Sequence, residues 1–306
     1  MSKVAVVTGS NKGLGLAIVK GLCQKFQGII YLTSRDDSRG KEAVAKLNEL
    51  GLKPEFHQLD VTDRNKSIIK FRDHIRNKHG GLDILINNAA VATSVIRQSY
   101  AEDKDVININ YKSVLVIQEL IFPLVRDNGR ILNISSSCGH LSNVRNKYWS
   151  DRLSRKDLTV DHINEFVEWY LECSRNGSFS KEDIADNGSV AAYRVSKVAL
   201  SALTFIQQRE LEHRNISVNS VHPGVVRTSM TSGIGMFTIE DAAETPLYLV
   251  LDAPISLKGS YIWYDKTVVD WYDNNADYFF TLSEMYEYFI PSLFANLKLF
   301  FNKIIF

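Results

Sequence analysis

Lys3-Val-Ala-Val-Val-Thr8-Gly9-Ser10-Asn11-Lys12-Gly13-Leu14-Gly15 stands at the very beginning of the 306-residue chain. The run to Thr8 is dominated by apolar, β-branched residues, the composition of a parallel strand buried on both faces. A glycine-rich turn follows at once. Then Leu16, Ile18, Val19, Leu22, Cys23 and Phe26 keep helical spacing. This order brings bare backbone N–H groups and the positive end of a helix dipole to one point, which suits a pyrophosphate. A glycine triplet alone is weak evidence. Its place between strand and helix predicts a doubly wound, dinucleotide-binding α/β fold.

Outward from that turn, a second strand, Ile29 to Thr33, ends in Ser34-Arg35-Asp36. An acidic residue at this tip would hold the ribose hydroxyl of NAD, whereas arginine accommodates the extra phosphate of NADP. Arg35 stands at the tip, Lys12 lies in the glycine turn, and Arg39 follows one helical turn later. Three cations for one phosphate favour NADPH, with Asp36 the dissenting charge. A third strand, Phe56 to Leu59, leads into Asp60-Val61, with the carboxylate placed to reach an adenine amino group. A fourth, Leu82 to Ile86, ends in Asn87-Asn88-Ala89-Ala90, and a fifth, Arg130 to Ile134, in Ser135-Ser136-Ser137. A sixth, Ile216 to Val221, runs into His222-Pro223-Gly224. Polar groups thus gather at strand C-terminal ends, where open α/β sheets bind ligands.

Tyr193 and Lys197 lie four residues apart, a spacing that stacks phenol and ammonium on one helix face. A phenol titrating near ~10 is a poor acid at neutral pH. A neighbouring cation favours the phenolate and draws that value downward, so the pair can hand a proton to an oxygen becoming an alkoxide. Tyr-x-x-x-Lys is common on solvated helices. The preceding motifs are what give it meaning here.

In this arrangement the chain resembles the short-chain dehydrogenase/reductase family, and within it the monomeric NADPH-dependent carbonyl reductases. The resemblance runs from Lys3 to about Trp271, and Gly81-Leu-Asp-Ile-Leu-Ile-Asn-Asn-Ala89 and Glu244-Thr-Pro-Leu-Tyr248 point to the carbonyl reductase branch. It implies the Rossmann sheet order 3-2-1-4-5-6-7. It also implies that Ser136 hydrogen-bonds the substrate carbonyl, with Ser135 and Ser137 as neighbouring alternatives, and that Tyr193 donates the proton. Lys197 would tune the tyrosine and hold the nicotinamide ribose, and Asn110 would anchor a relay water. Gly9, Asn11, Lys12, Gly13, Leu14 and Gly15 would line the pyrophosphate, Asp60 and Val61 the adenine, and Asn87 the cofactor site. Val226, Arg227 and Thr228 would touch the carboxamide end. Two residues depart from the family pattern: Ala90 replaces a glycine, and Val225 stands where mammalian carbonyl reductases carry tryptophan. The expected substrate is a carbonyl compound with an apolar body.

Ser136 and Tyr193 are 57 positions apart, where compact members of the family resembled have only a dozen or so residues. The surplus, about 140–188, carries Leu158, Ile163, Phe166, Val167, Trp169, Tyr170 and Leu171 among charges, an amphipathic helix over Thr159 to Arg175. By resemblance it covers the surface through which relatives oligomerise, implying a monomer; a wall over the substrate cleft is a compatible use. The catalytic domain is expected over 1–271 and a tail over 272–306. Beyond Pro291 the tail has a helical stripe of Leu293, Phe294, Leu297, Phe300, Phe301, Ile304 and Ile305. It is shorter than the roughly 20 apolar residues of a membrane span. Packing on the enzyme body, peripheral contact with a membrane interface and binding of a partner helix are its three readings.

Hydrophobic residues make up 45% of the chain and the net charge is +1, which allows a sizeable core and argues against nucleic-acid binding. The first strand leaves no room for a leader, and three unpaired-looking cysteines suit a reducing cytoplasm. Cys138, two residues past Ser136, is expected to be a buried, inert thiol rather than part of the site. The seven histidines form no ligand set, so no metal is expected, and the spacing of His74 and His79 places them on different helix faces. Two other functions use the same motifs: NADP-dependent oxidation of a lipophilic alcohol, and a cofactor-binding scaffold or redox sensor.

Overall fold

The computed structural model describes residues 2–92, 99–180, 182–185 and 190–273. The apolar tail stripe and Pro291 lie outside the described residues, as do positions 181 and 186–189 of the insertion. Among the described residues, no helix is long and apolar enough to cross a membrane.

The strands are β1 (Lys3–Val7), β2 (Gly28–Ser34), β3 (Glu55–Gln58), β4 (Leu82–Asn87), β5 (Val125–Ile134), β6 (Ser217–His222), β7 (Tyr261–Trp263) and β8 (Val268–Val269). They form one sheet in the order β3-β2-β1-β4-β5-β6-β7-β8. Pairing is parallel through β7, as the expected order requires, and β8 folds back antiparallel on β7. Two residues are too short a run to carry periodicity, so β8 has no signature in the sequence. β5 starts earlier than expected because its register against β4 jumps, with Leu82 opposite Val125 and Ile84 opposite Arg130. Asp83 stabilises the bulge by accepting hydrogen bonds from Val4 N (2.7 Å) and the Arg126 guanidinium (2.6 Å).

On one face, α1 (Gly13–Lys25), α2 (Asp37–Glu49) and α9 (Ile239–Leu251) pack over Ala5, Val7, Leu32, Ile86 and Leu132. The other face carries α3 (Ile69–His79), α4 (Tyr100–Ile107), α5 (Ser113–Leu120) and α8 (Ala191–Leu211). This double covering explains why the central strands read as nearly continuous apolar runs.

The insertion contributes α6 (Lys147–Leu153) and α7 (Val160–Asn176). α7 begins with a capping box between Thr159 and His162 and ends at Gly177 in the left-handed region, φ 71°. Ile163, Phe166, Val167, Tyr170 and Leu171 are buried where α7 packs on α4 and α8, each contributing roughly 1.5–3 kcal/mol. The Tyr170 and Ser174 hydroxyls donate to buried Asp103 on α4 at 3.0 and 2.6 Å. At the other end of the described chain, Trp271 is buried and its indole N–H donates to Gly139 O at 2.6 Å.

One expectation about the histidines needs correction. His74 and His79 both direct Nε2 at the Tyr31 hydroxyl, each at 2.8 Å. The long phenol of β2 reaches α3, so two rings separated around that helix converge on one hydroxyl. A phenol offers one donor and two lone pairs, so it can serve both imidazoles at once.

Candidate active site

The turn after β1 owes its shape to two close approaches. Gly9 has φ +60° and a Cβ there would lie 2.8 Å from Ala89 Cα; at Gly15 it would meet Asn88 Nδ2 at 2.5 Å. Asn88 fastens the turn, its amide donating to Thr8 O (2.9 Å) and Gly9 O (3.0 Å). No side chain caps the N-terminus of α1 at Lys12, which leaves its first-turn N–H groups facing a cavity lined by Gly9, Lys12, Gly13, Leu14 and Gly15. A pyrophosphate fits this cradle, since the approach is open backbone and the donors are uncommitted to side chains. Asn88, and not Asn87, lines the cavity. Asn87 faces the sheet interior and donates to Asn133 Oδ1 at 2.8 Å, as strand alternation requires of adjacent residues.

The cavity, about 900 Å³, extends from this turn to the C-terminal ends of β5 and β6. Ser136 caps a short turn there, its Oγ accepting from Cys138 N at 3.2 Å, and it borders the cavity with Tyr193, whose phenol it helps to acidify. Ser135 and Ser137 also border the cavity, but the Ser135 hydroxyl is bonded to Ser201 at 2.7 Å. Cys138 lines the cavity and is half-buried, contrary to the expectation of an inert core thiol. The turn that Ser136 caps carries the thiol outward, a local geometry that spacing does not reveal.

Tyr193 and Lys197 occupy the first two turns of α8 and both line the cavity. Lys197 is buried; its Nζ donates to Ile134 O at 2.7 Å and lies 5.6 Å from the Tyr193 ring centre. The expected acidification of the phenol is absent. Burial pushes Tyr193 above its ordinary value, partly offset by Ser136, and the same burial lowers Lys197 to about 8. The ammonium is bonded to the Ile134 carbonyl, and desolvation dominates at both groups.

Asn110 lies in a π-turn, Asn108–Lys112, between α4 and α5. Its amide donates to Val91 O (2.9 Å) and Ser196 Oγ (3.0 Å), and its Oδ1 accepts from Val91 N (2.9 Å). Both amide hydrogens are committed to the protein, so the side chain braces the loop after β4 against α8.

The three cations do not share one partner. Lys12 Nζ donates to Ser229 Oγ at 3.2 Å, and Arg39 stands 3.5 Å from Asp36. Asp36 is the cap of α2, accepting from Arg39 N at 2.9 Å, so its presence at the strand tip has a structural cause. Arg35 is exposed, with its carbonyl held by Gln58 at 2.9 Å. Arg35, Arg39, Asp60 and Val61 are not among the residues lining the cavity. Asp60 Oδ1 accepts from the backbone and hydroxyl of Thr62 at 2.9 and 2.7 Å, and Val61 is buried. Val226 and Thr228 line the cavity, whereas Arg227 turns outward and donates to Gly235 O (3.0 Å) and Met236 O (3.3 Å). Asn11, beside the glycine turn, is half-buried and does not line it.

Comparison with known proteins agrees with this geometry. Residues 3–150 match the short chain dehydrogenase family, and residues 177–260 match the family described as enoyl-(acyl carrier protein) reductase. The chain is 37% identical to carbonyl reductase (NADPH) 3 of Mus musculus over 283 residues, 88% of this chain and 99% of that protein. It is 36% identical to carbonyl reductase (NADPH) 1 of Bos taurus, over 88% of this chain and 98% of the other. Among solved structures, salutaridine reductase from Papaver somniferum superimposes with a TM-score of 0.78 at 32% identity, covering 86% of this chain and 99% of that one. With a glycine cradle, a Ser136–Tyr193 contact and a lysine one turn on, together with these relatives, the chain belongs to the short-chain dehydrogenase/reductase family.

Proposed function

We propose that this protein reduces carbonyl compounds (ketones, aldehydes or quinones) to alcohols with NADPH, with Tyr193 as proton donor. The observation that carries the reading is that Ser136, Tyr193 and Lys197 line the same cavity as the glycine turn. When bound, NADPH supplies the hydride that adds to the carbonyl carbon. The hydroxyls of Ser136 and Tyr193 present two donors to the carbonyl oxygen, where negative charge collects as the C–H bond forms. Tyr193 then releases its proton to that oxygen, completing the alcohol. The phenol is protonated at neutral pH, the state from which a proton is donated. The cation of Lys197 stabilises the phenolate left behind.

The apolar lining residues Val91, Ile134, Val225 and Met230 suit a substrate with an apolar body. We take the protein to be a monomer, because α7 covers the α4–α8 face, and to act in a reducing cytoplasm, which its free cysteines tolerate. Residues 272–306 are read as an appendage to the catalytic domain. The test is loss of NADPH absorbance with menadione and a panel of ketones and aldehydes, against NADH as control. A purified protein that oxidises NADPH with none of them overturns the reading, and sedimentation as a dimer removes the monomer.

A further inference from the structure

Ser136 is extended (φ −166°, ψ 162°) and caps the one-turn helix Ser137–Gly139, so its hydroxyl points where that turn directs it. A single turn has little stability of its own. Its support comes from far along the chain. The Tyr261 hydroxyl on β7 donates to Ser136 O at 2.6 Å, and the Trp271 indole donates to Gly139 O at 2.6 Å. Just past the turn, His140 Nε2 donates to Asp270 O at 2.9 Å. Tyr261, Trp271 and His140 are each 1% exposed. On its other side the turn is pressed against α8, where a Cβ at Gly139 would lie 2.8 Å from both Lys197 O and Ser201 Oγ.

Packing alone does not account for the Tyr261 hydroxyl. The ring belongs to the apolar core beneath α8, where phenylalanine would fill the same space. Ser136 O already accepts from Gly139 N at 2.8 Å, so the carbonyl is satisfied without the phenol. What the second bond adds is direction. β6 separates β7 from β5 in the sheet, and the phenol reaches past it to the turn that follows β5. A donor aimed at an oxyanion must be held to within about 0.5 Å, by neighbours that packing and hydrogen bonds lock in place. Tyr261 is such a neighbour, and neither it nor Trp271 lines the cavity.

Resting on the reading of Ser136 as an oxyanion donor, we propose that Tyr261 is a positioning residue. Its hydroxyl fixes the Ser136 backbone and so aims the serine hydroxyl at the substrate oxygen. Trp271 fixes the other end of the same turn.

The test measures hydride transfer from bound NADPH to menadione in single turnovers, for the wild-type protein, Tyr261→Phe, Ser136→Ala and the double variant. Tyr261→Phe should slow the step about tenfold, with half-saturation by menadione and the NADPH Kd within about twofold of wild type. Once Ser136 is alanine no hydroxyl remains to be aimed, so adding Tyr261→Phe should change the rate by less than about twofold. A merely structural phenol would slow both backgrounds equally, and that result overturns the proposal. So does weakened NADPH binding in Tyr261→Phe, or a wild-type rate in that variant. Should Tyr261→Phe not fold, Trp271→Phe, which deletes the indole donor at Gly139, is read in the same cycle with the same outcomes. A wild-type rate in Ser136→Ala overturns the positioning role while leaving the reductase reading intact. Failure of the wild-type protein to reduce menadione or any other carbonyl is the separate result that sinks both.

Discussion

Lys197 donates its ammonium to the carbonyl of Ile134 at 2.7 Å, which holds the cation at the end of β5 and beside, rather than on, the Tyr193 phenol. Burial lowers Lys197 to about 8. A reaction that needs the cation should therefore lose rate as pH rises through about 8. Arginine stays charged in this range, so Lys197→Arg should move that decline to higher pH, whatever its effect on the plateau. A decline at the same pH in both proteins assigns it to another group.

Tyr193→Phe removes the proton donor and leaves the ring in place. We expect kcat for carbonyl reduction to fall by about 10²–10⁴ with NADPH affinity nearly unchanged. Ser136→Ala should cost about 10²–10³ by removing one oxyanion donor. Stopped-flow reduction assays and fluorescence titration of NADPH check both.

Gly15→Ala would set a methyl against Asn88 Nδ2 at 2.5 Å and Ser10 Cα at 2.8 Å. The expected loss is about 1–3 kcal/mol of stability, accompanied by weaker NADPH binding. Gly51 provides the control, since its φ of +76° carries strain but nothing lies within 4 Å of an added Cβ. Gly51→Ala should cost about 1 kcal/mol and leave NADPH affinity alone. Equal effects on cofactor binding would contradict the cradle.

Arg35 is exposed at the tip of β2, where an adenosine phosphate would lie. Arg35→Asp should shift the kcat/KM preference toward NADH by about tenfold or more. An unaltered NADPH-to-NADH ratio would assign phosphate recognition to other groups.

Acid should destabilise the fold through histidines whose partial or complete burial opposes their charging. His57, His74 and His79 are all held below their ordinary value chiefly by burial, and His222 is lowered to about 4. Their folded-state values are depressed, so between those values and 6.5 the unfolded chain binds more protons. Stability is thus fully present above about 6.5 and falls as pH drops toward each folded value. His222 alone accounts for about 3 kcal/mol across its window. Urea unfolding at pH 7 and pH 5 should show the loss, and His222→Asn should diminish it. A pH-independent stability across that interval would mean these rings protonate without penalty.

Much of the fold was legible because its signals are local. The apolar run before Gly9, the spacing of Leu16 to Phe26 and the capped α7 helix each express a period or a cap within a few residues. Tyr193 and Lys197 were legible for the same reason, four residues apart on one helix. The identity of the serine was not, because Ser135, Ser136 and Ser137 differ only in direction, and direction depends on the partner each one finds. Ser201 takes Ser135, and Tyr193 meets Ser136. The burial of His222 has no local signal, because its environment is built from β5 and β7, neither near it in sequence.

By itself the order of residues determined a parallel sheet, a cradle for a dinucleotide, and a phenol with an ammonium one turn away. Only the tertiary structure decided that the ammonium turns to Ile134, that Asn110 braces a loop, and that the His222 ring nitrogens are buried without a partner among the described residues. The division has a physical cause. Hydrophobic periodicity acts along a few turns of chain, whereas desolvation and hydrogen-bond partnership belong to surroundings assembled from distant segments.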